Sequence, residues 1–205
     1  MMEKTIKEIK KKLTIDVMKR ALKYADSYKE FKKNRKIIVN DKMQKYTYIL
    51  SENPNQNFRT DFKPYFTPKQ MIELGIFEGK YLNDCILEFP KDWFFKPILN
   101  GKLSPEYPNP SVNYFKIKSR LSLQEWKNRK WIPCHEKDKD IRGWFQWYCR
   151  YWIGRRIPEV DNIQIGRWKK FKRHYVQVEK NAKNQICSRQ RQRQALLQWS
   201  WNCFV

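Results

Sequence analysis

The sequence is poor in glycine and histidine, with six and two respectively in 205 residues. Neither GxGxxG nor GxxxxGK[ST] occurs, so dinucleotide binding and phosphate-loop nucleotide hydrolysis have no support. Neither CxxC nor HxxxH spacing occurs either. Cys134 and His135 are adjacent, and only a coincidence of folding would bring Cys187 or His174 to them, so no metal and no cofactor are expected. The cysteines (Cys85, Cys134, Cys149, Cys187, Cys203) are odd in number and scattered, which reads as free thiols in a reducing compartment. No stretch approaches the roughly 18–20 apolar residues of a membrane span. The opening MMEKTIKEIKKKL lacks the apolar core of a secretory signal. No membrane span is therefore expected, and the setting is intracellular: nucleus, cytoplasm or viral particle. Acids are scarce too, with 21 Asp+Glu against 44 Lys+Arg and a formal charge of +23.

What is present suffices for a core. Hydrophobic residues make up 40% and aromatics 16%, which excludes disorder throughout. The length suits one domain, or one domain with an arm. Charge divides the chain. Residues 1–45 hold 15 bases and 6 acids, residues 46–141 hold 15 and 12, and residues 142–193 hold 14 and 3. The first block is almost all lysine, a well-hydrated point charge suited to diffuse attraction. The last carries nine arginines, whose planar fork grips phosphate and stacks on rings. Residues 1–45 thus read as a Lys-rich helical arm, and residues 46–205 as a Trp/Arg-rich globular domain.

Residues 3–36 read as helix, with a break point near Thr14-Ile15-Asp16. Ile6, Ile9, Leu13, Val17, Ala21, Tyr24, Tyr28 and Phe31 form one apolar stripe. The stripe favours docking on the domain over lying along phosphates or an acidic membrane. Tyr46-Thr47-Tyr48-Ile49-Leu50 is β-prone. Thr67, Pro68 and Gln70 form a capping box with proline at the first helical position, and Gly75 is placed to end that helix. Residues 76–110 carry five prolines and read as loop-rich, with short elements around Trp93-Phe94-Phe95. Ser122 to Glu125 is a second capping box. Asp140 is placed to cap a helix over about 141–153, Asp161 one running to Ala182, and Ser188 a last one over 189–201. The expected fold is mainly α with minor β, a single compact helical domain preceded by a basic amphipathic N-terminal helix.

Eight of nine tryptophans fall between Trp126 and Trp201, overlapping the arginine-rich block. In Gly143 to Arg156, Trp144, Trp147, Tyr148 and Tyr151 share one helix face, while Phe145, Cys149 and Trp152 share another. A helix aromatic on most sides is central to a core. Arg142, Arg155 and Arg156 stand at its ends, where they are expected to reach solvent. Three acids cannot pair fourteen bases, and the repulsion would be relieved by an anionic partner that releases counterions. The expected contacts are Arg155, Arg156, Arg167, Lys170, Arg173, His174, Arg189 and Arg193. Helical spacing puts Arg189 and Arg193 on one face and turns Arg191 elsewhere, toward a structural carboxylate. Trp168 is the ring to stack on a base if exposed, although a core position ranks first for it.

The stretches Phe66 to Leu82 and Gly143 to Tyr151, with the ending Arg189-Gln190-Arg191-Gln192-Arg193-Gln194-Ala195-Leu196-Leu197-Gln198-Trp199, resemble a family of small basic Trp/Arg-rich proteins of large DNA viruses and some cellular genomes. The resemblance covers about residues 64–201. That family brings no established activity, so the resemblance implies a viral or cellular basic protein without a mechanism.

The sequence reading is a nucleic-acid-binding protein, for DNA or RNA, that contacts mainly phosphates in an accessory or packaging role. An acidic protein or a polyphosphate would relieve the charge equally. The alternatives are a glycosylase or nuclease, requiring an acid beside the arginines in a pocket, and a structural virion or ribonucleoprotein component. Asp138, Asp140, Glu159, Asp161, Glu179, Asp84 and Asp92 are the acids considered, none at diagnostic spacing. Cys149 reads as a packed thiol rather than a nucleophile.

Overall fold

A computed structural model describes residues 30–41, 43–83, 85–103, 107–129, 139–182 and 185–205. The β-branched run Ile37-Ile38-Val39 and the run Tyr46 to Ile49 alternate in burial and pair as an antiparallel hairpin, β1 (Lys36–Asn40) with β2 (Lys45–Ile49). Ile38 lies opposite Thr47 and Asn40 opposite Lys45. Ile37, Val39 and Tyr48 face the core. In the turn, Asp41 Oδ1 accepts from the N–H groups of Met43 and Gln44, 2.8 Å each. This corrects two expectations. Residue 36 begins a strand rather than ending a helix, and the globular unit reaches back across residue 45. The helix expected over residues 3–29 lies outside the described residues.

Both capping boxes form. Thr67 and Gln70 open α1 (Pro68–Glu73), and Gly75 follows its end at φ 71°. Ser122 and Glu125 open α3 (Leu123–Asn128). Between them, Trp93-Phe94-Phe95 lies in α2 (Asp92–Leu99). The C-terminal half holds α4 (Trp144–Trp152), α5 (Pro158–Lys170), α6 (Lys172–Asn181) and α7 (Gln190–Gln198).

Their starts differ from the expected caps, each for a visible reason. Asp140 caps nothing, because Arg150 and Arg155 take its carboxylate; α4 begins after Gly143 instead. Asp161 lies inside the first turn of α5, where Pro158 is the opening residue. Its carboxylate reaches back to the Ile157 N–H (3.0 Å) and accepts from Trp147 Nε1 (2.8 Å). The single helix expected through Ala182 breaks at Phe171, whose N–H bonds the Trp168 carbonyl one residue short of α-helical register. The Ser188 hydroxyl donates to Gln185 O (2.9 Å), and Arg189, left-handed at φ 55°, precedes α7.

Every residue from Trp144 to Tyr151 is buried, so α4 is the central helix its composition demanded. Phe62 packs against Trp147 and Tyr148 with ring centroids 5.4 and 5.6 Å away. Fully buried Arg150 fastens this helix to three distant segments. Its Nε donates to Glu88 Oε1 (2.5 Å), Nη1 to Lys139 O (2.7 Å) and Asp140 Oδ1 (3.0 Å), and Nη2 to Gln44 Oε1 (3.0 Å) and Glu88 Oε2 (3.1 Å). All five guanidinium donors are thereby used. After α4 the chain turns at Gly154 (φ 112°), where a Cβ would lie 2.0 Å from the Glu52 carbonyl oxygen. Among the described residues no helix is long and apolar enough to cross a membrane.

Candidate functional site

A cavity of about 870 Å³ opens where the aromatic helix α4 and the end of α7 meet the ends of α3, α5 and α6. Its apolar side is a column of rings. Tyr148 stacks on Trp144 (5.1 Å), Trp144 on Trp199 (5.0 Å, 28°) and Trp199 on Phe171 (4.9 Å, 12°); His174 then tilts against Phe171 at 4.6 Å. The column climbs from the fully buried Tyr148 through half-buried Trp199 and Phe171 to the surface. The break between α5 and α6 turns Phe171 toward Trp199 and lets Lys170 and Arg173 flank it. Trp126 of α3 packs against Gly143 at the cavity edge: a Cβ on that glycine would stand 3.4 Å from the indole ring.

The charged lining is one-sided. Among the described residues, Lys118, Arg120, Arg167, Lys170, Arg173 and Arg191 line the cavity with His174, against a single carboxylate, Glu125. Glu125 is spent on its capping box: the backbone N–H and hydroxyl of Ser122 hold its carboxyl below the usual range. Arg120 is tied to Glu78 at 3.1 Å. Among the described residues no ion pair involves Lys118, Lys170, Arg173 or Arg191. Burial, then Arg173, lowers the pKa of His174, which favours its neutral form.

Two residues that line the cavity carry a buried polar atom without a hydrogen-bond partner. Trp144 is 5% exposed and its Nε1 is unpaired; Gln198 is 3% exposed, its Nε2 donating to Ser119 O (3.1 Å) while its Oε1 is left without a partner. Buried donors and acceptors are nearly always satisfied in folded proteins, and Gln146 Nε2 and Trp168 Nε1, away from the cavity, share this condition.

The expected contacts separate clearly. Arg167, Lys170, Arg173 and His174 come together at the cavity. Arg155 is 2% exposed and pairs with Asp140, contrary to its expected reach into solvent. Arg142 is likewise buried and pairs with Asp41 at 3.2 Å. Arg193 is fully buried and donates to the carbonyls of Ser188 (2.9 Å) and Cys203 (2.6 Å). Arg156 is half-buried over the Tyr151 ring at 3.8 Å, with its donors on the carbonyls of Tyr151, Arg155 and Gln56. Arg189 is exposed and bonds Gln192 at 2.9 Å. Trp168 is core, edge-on to Phe62 and stacked on Trp201. Arg191 reverses its expected role: it is exposed at the cavity while Arg193 turns inside. Lys118, Arg120, Trp126, Phe171 and Trp199 escaped sequence reading. The excess of bases over acids was the available signal for the cations, but it gave no position.

The acids considered for catalysis are engaged elsewhere or lie outside. Asp138 and Asp84 are outside the described residues. Asp92 pairs with Lys69 (2.8 Å), and Glu179 accepts from Tyr175 (2.9 Å). Burial pushes the Cys149 thiol up, leaving a packed, unreactive group. Asp41, Cys85 and Glu88 bring ligand-type atoms within 4.8 Å of one another, but Arg142 and Arg150 already neutralise the two carboxylates.

No protein-family model, curated protein or solved structure matches this chain.

Proposed function

We propose that this protein binds nucleic acid, DNA or RNA, mainly through phosphates held at the mouth of the cavity, in an accessory or packaging role. The observation that carries this reading is the lining itself: among the described residues, six Lys/Arg and one histidine against one capping carboxylate, beside a column of stacked rings. A surface cation without a carboxylate partner repels its neighbours, and a polyanion removes that repulsion while freeing condensed counterions. Arginine and lysine then position the backbone without reading sequence. The contacts reassign to Lys118, Lys170, Arg173 and Arg191, with Arg167 also lining the cavity and Arg189 just ahead of α7. The cavity supports binding over reaction, because its acid, Glu125, is exposed and held ionised rather than poised to move a proton.

The test is a salt series on labelled duplex DNA, single-stranded DNA and structured RNA, followed by a denaturing gel. The wild-type protein binds steeply with salt and leaves the strands intact. The Lys170→Ala/Arg173→Ala/Arg191→Ala variant flattens log affinity against log salt by about 0.9 for each duplex phosphate it no longer neutralises, or about 0.7 on single strands. An unchanged slope removes these residues from the site. Cleaved or heat-labile strands point instead to a nuclease or glycosylase.

A further inference from the structure

We propose that the cavity takes one unstacked nucleobase of a nucleic-acid chain, inserted against its aromatic wall while the rim cations hold the flanking phosphates. The inference rests on the nucleic-acid reading above and adds what enters the cavity. Three independent features carry it. The first is size: about 870 Å³ falls among sites that enclose a whole small molecule rather than a phosphate group alone. The second is the aromatic wall. Phe171, Trp199 and Trp126 all line the cavity half-buried, Trp199 held between Trp144 and Phe171 in the column. Ring contacts of this kind accept any base, because every base has a π-face.

The third feature is polar: Trp144 and Gln198 both line the cavity, and Trp144 Nε1, a donor, and Gln198 Oε1, an acceptor, are buried without a hydrogen-bond partner. A purely apolar guest would leave both unsatisfied. The edge of a nucleobase carries acceptors and donors side by side and answers both. The number of rim cations decides the source of the base. One phosphate needs one or two of them, whereas Lys118, Lys170, Arg173 and Arg191 together match a continuing backbone.

The experiment uses full-length protein and three labelled duplexes of equal length at one salt concentration: fully paired, bearing one unpaired bulged nucleotide, and bearing the same bulge as an abasic residue. The bulged duplex is expected to bind about tenfold tighter than the abasic one, the scale of stacking one base on an aromatic side chain. All three should share the same salt slope. Ala195→Phe fills the cavity from α7 without removing a packed ring, and Trp199→Leu takes a ring from its wall; each should erase the bulge preference and spare binding to paired duplex. Thermal melting of both variants verifies the fold, and Ala195→Phe keeps the test decisive if Trp199→Leu unfolds. Equal affinity for bulge and abasic bulge overturns base insertion and leaves phosphate binding standing. Failure of all three to bind sinks the nucleic-acid reading itself. Competition by a millimolar nucleoside monophosphate equal to that of the bulged strand overturns the polymer source.

Discussion

Arg150 and Arg173 carry the same charge, yet one is structural and the other faces the cavity. The difference is in what each meets. Arg150 finds Glu88, sixty-two residues away, together with Asp140 and Gln44, and all its donors are bonded. Arg173 meets His174, through a long contact at 3.4 Å. The buried pairs make a pH prediction. Burial alone would raise the pKa of Asp140, but Arg155 and Arg150 outweigh it and hold the carboxyl below its usual value. A depressed carboxyl stabilises the fold above its unfolded pKa, near 3.9, and that contribution is lost as pH falls toward the lower folded value. Urea midpoints should therefore drop between about pH 5 and 3. The Asp140→Asn variant should start lower at pH 7 and lose less over that window. An equal loss in both proteins would show that Asp140 contributes nothing to acid lability. Asp161, whose pKa burial raises, acts with the opposite sign and does not mimic the effect. At this scale composition was legible and burial was not. A guanidinium's exposure depends on which distant acid the fold delivers, and no local pattern around Arg155 or Arg193 encodes Asp140 or the Cys203 carbonyl.

The elements were legible where the signal was local. Both capping boxes were read from four residues each and both form. The aromatic run of α4 announced its central position because no other place hides rings on every side. The reading failed where a local cap competed with a tertiary use of the same group. Asp140 and Ser188 look like N-caps, but one serves two arginines and the other bonds the preceding turn. The break at Phe171 was hidden because the apolar stripe runs through both helices, with Trp168 and Val178 buried on either side of it. β1 was missed because its outward residues, Lys36, Ile38 and Asn40, blur the alternation in a lysine-rich block. Its pairing carries a consequence for truncation. Deleting residues 1–45 takes away β1 and the buried Ile37 and Val39, each about 1.5–3 kcal/mol of apolar burial. The truncated protein should melt at a clearly lower temperature than the full chain. An unchanged melting temperature would mean that β2 and the core do not need their partner strand.

For the whole molecule the question is where a formal +23 goes. Four acids of the described unit, Glu78, Glu88, Asp140 and Asp161, are buried, and three of them pair with arginines there. Asp61 and Asp92 pair with Arg59, Lys169 and Lys69 at the surface, while Lys118, Lys170, Arg173 and Arg191 crowd one cavity rim. A fold arranged this way repels itself at low ionic strength, since the screening length is about 30 Å at 0.01 M and about 10 Å at 0.1 M. Buried pairs feel little screening, so added salt weakens the repulsion more than it weakens Arg150–Glu88 or Arg155–Asp140. The melting temperature should therefore rise between about 0.01 and 0.2 M sodium chloride, opposite to a protein held by surface ion pairs. Differential scanning calorimetry reads this directly. The Lys170→Ala/Arg173→Ala/Arg191→Ala variant should gain less from salt, because part of the repulsion is already gone. A bound polyanion adds stabilisation that grows with its concentration relative to its dissociation constant. Single-stranded nucleic acid should thus raise the melting temperature at low salt more than inorganic polyphosphate of equal charge, because only the former brings bases to the Trp199 column. Equal shifts from both would make the surface a general polyanion binder, and a melting temperature that falls with salt would mean that surface pairs, not self-repulsion, dominate the charge energetics of this fold.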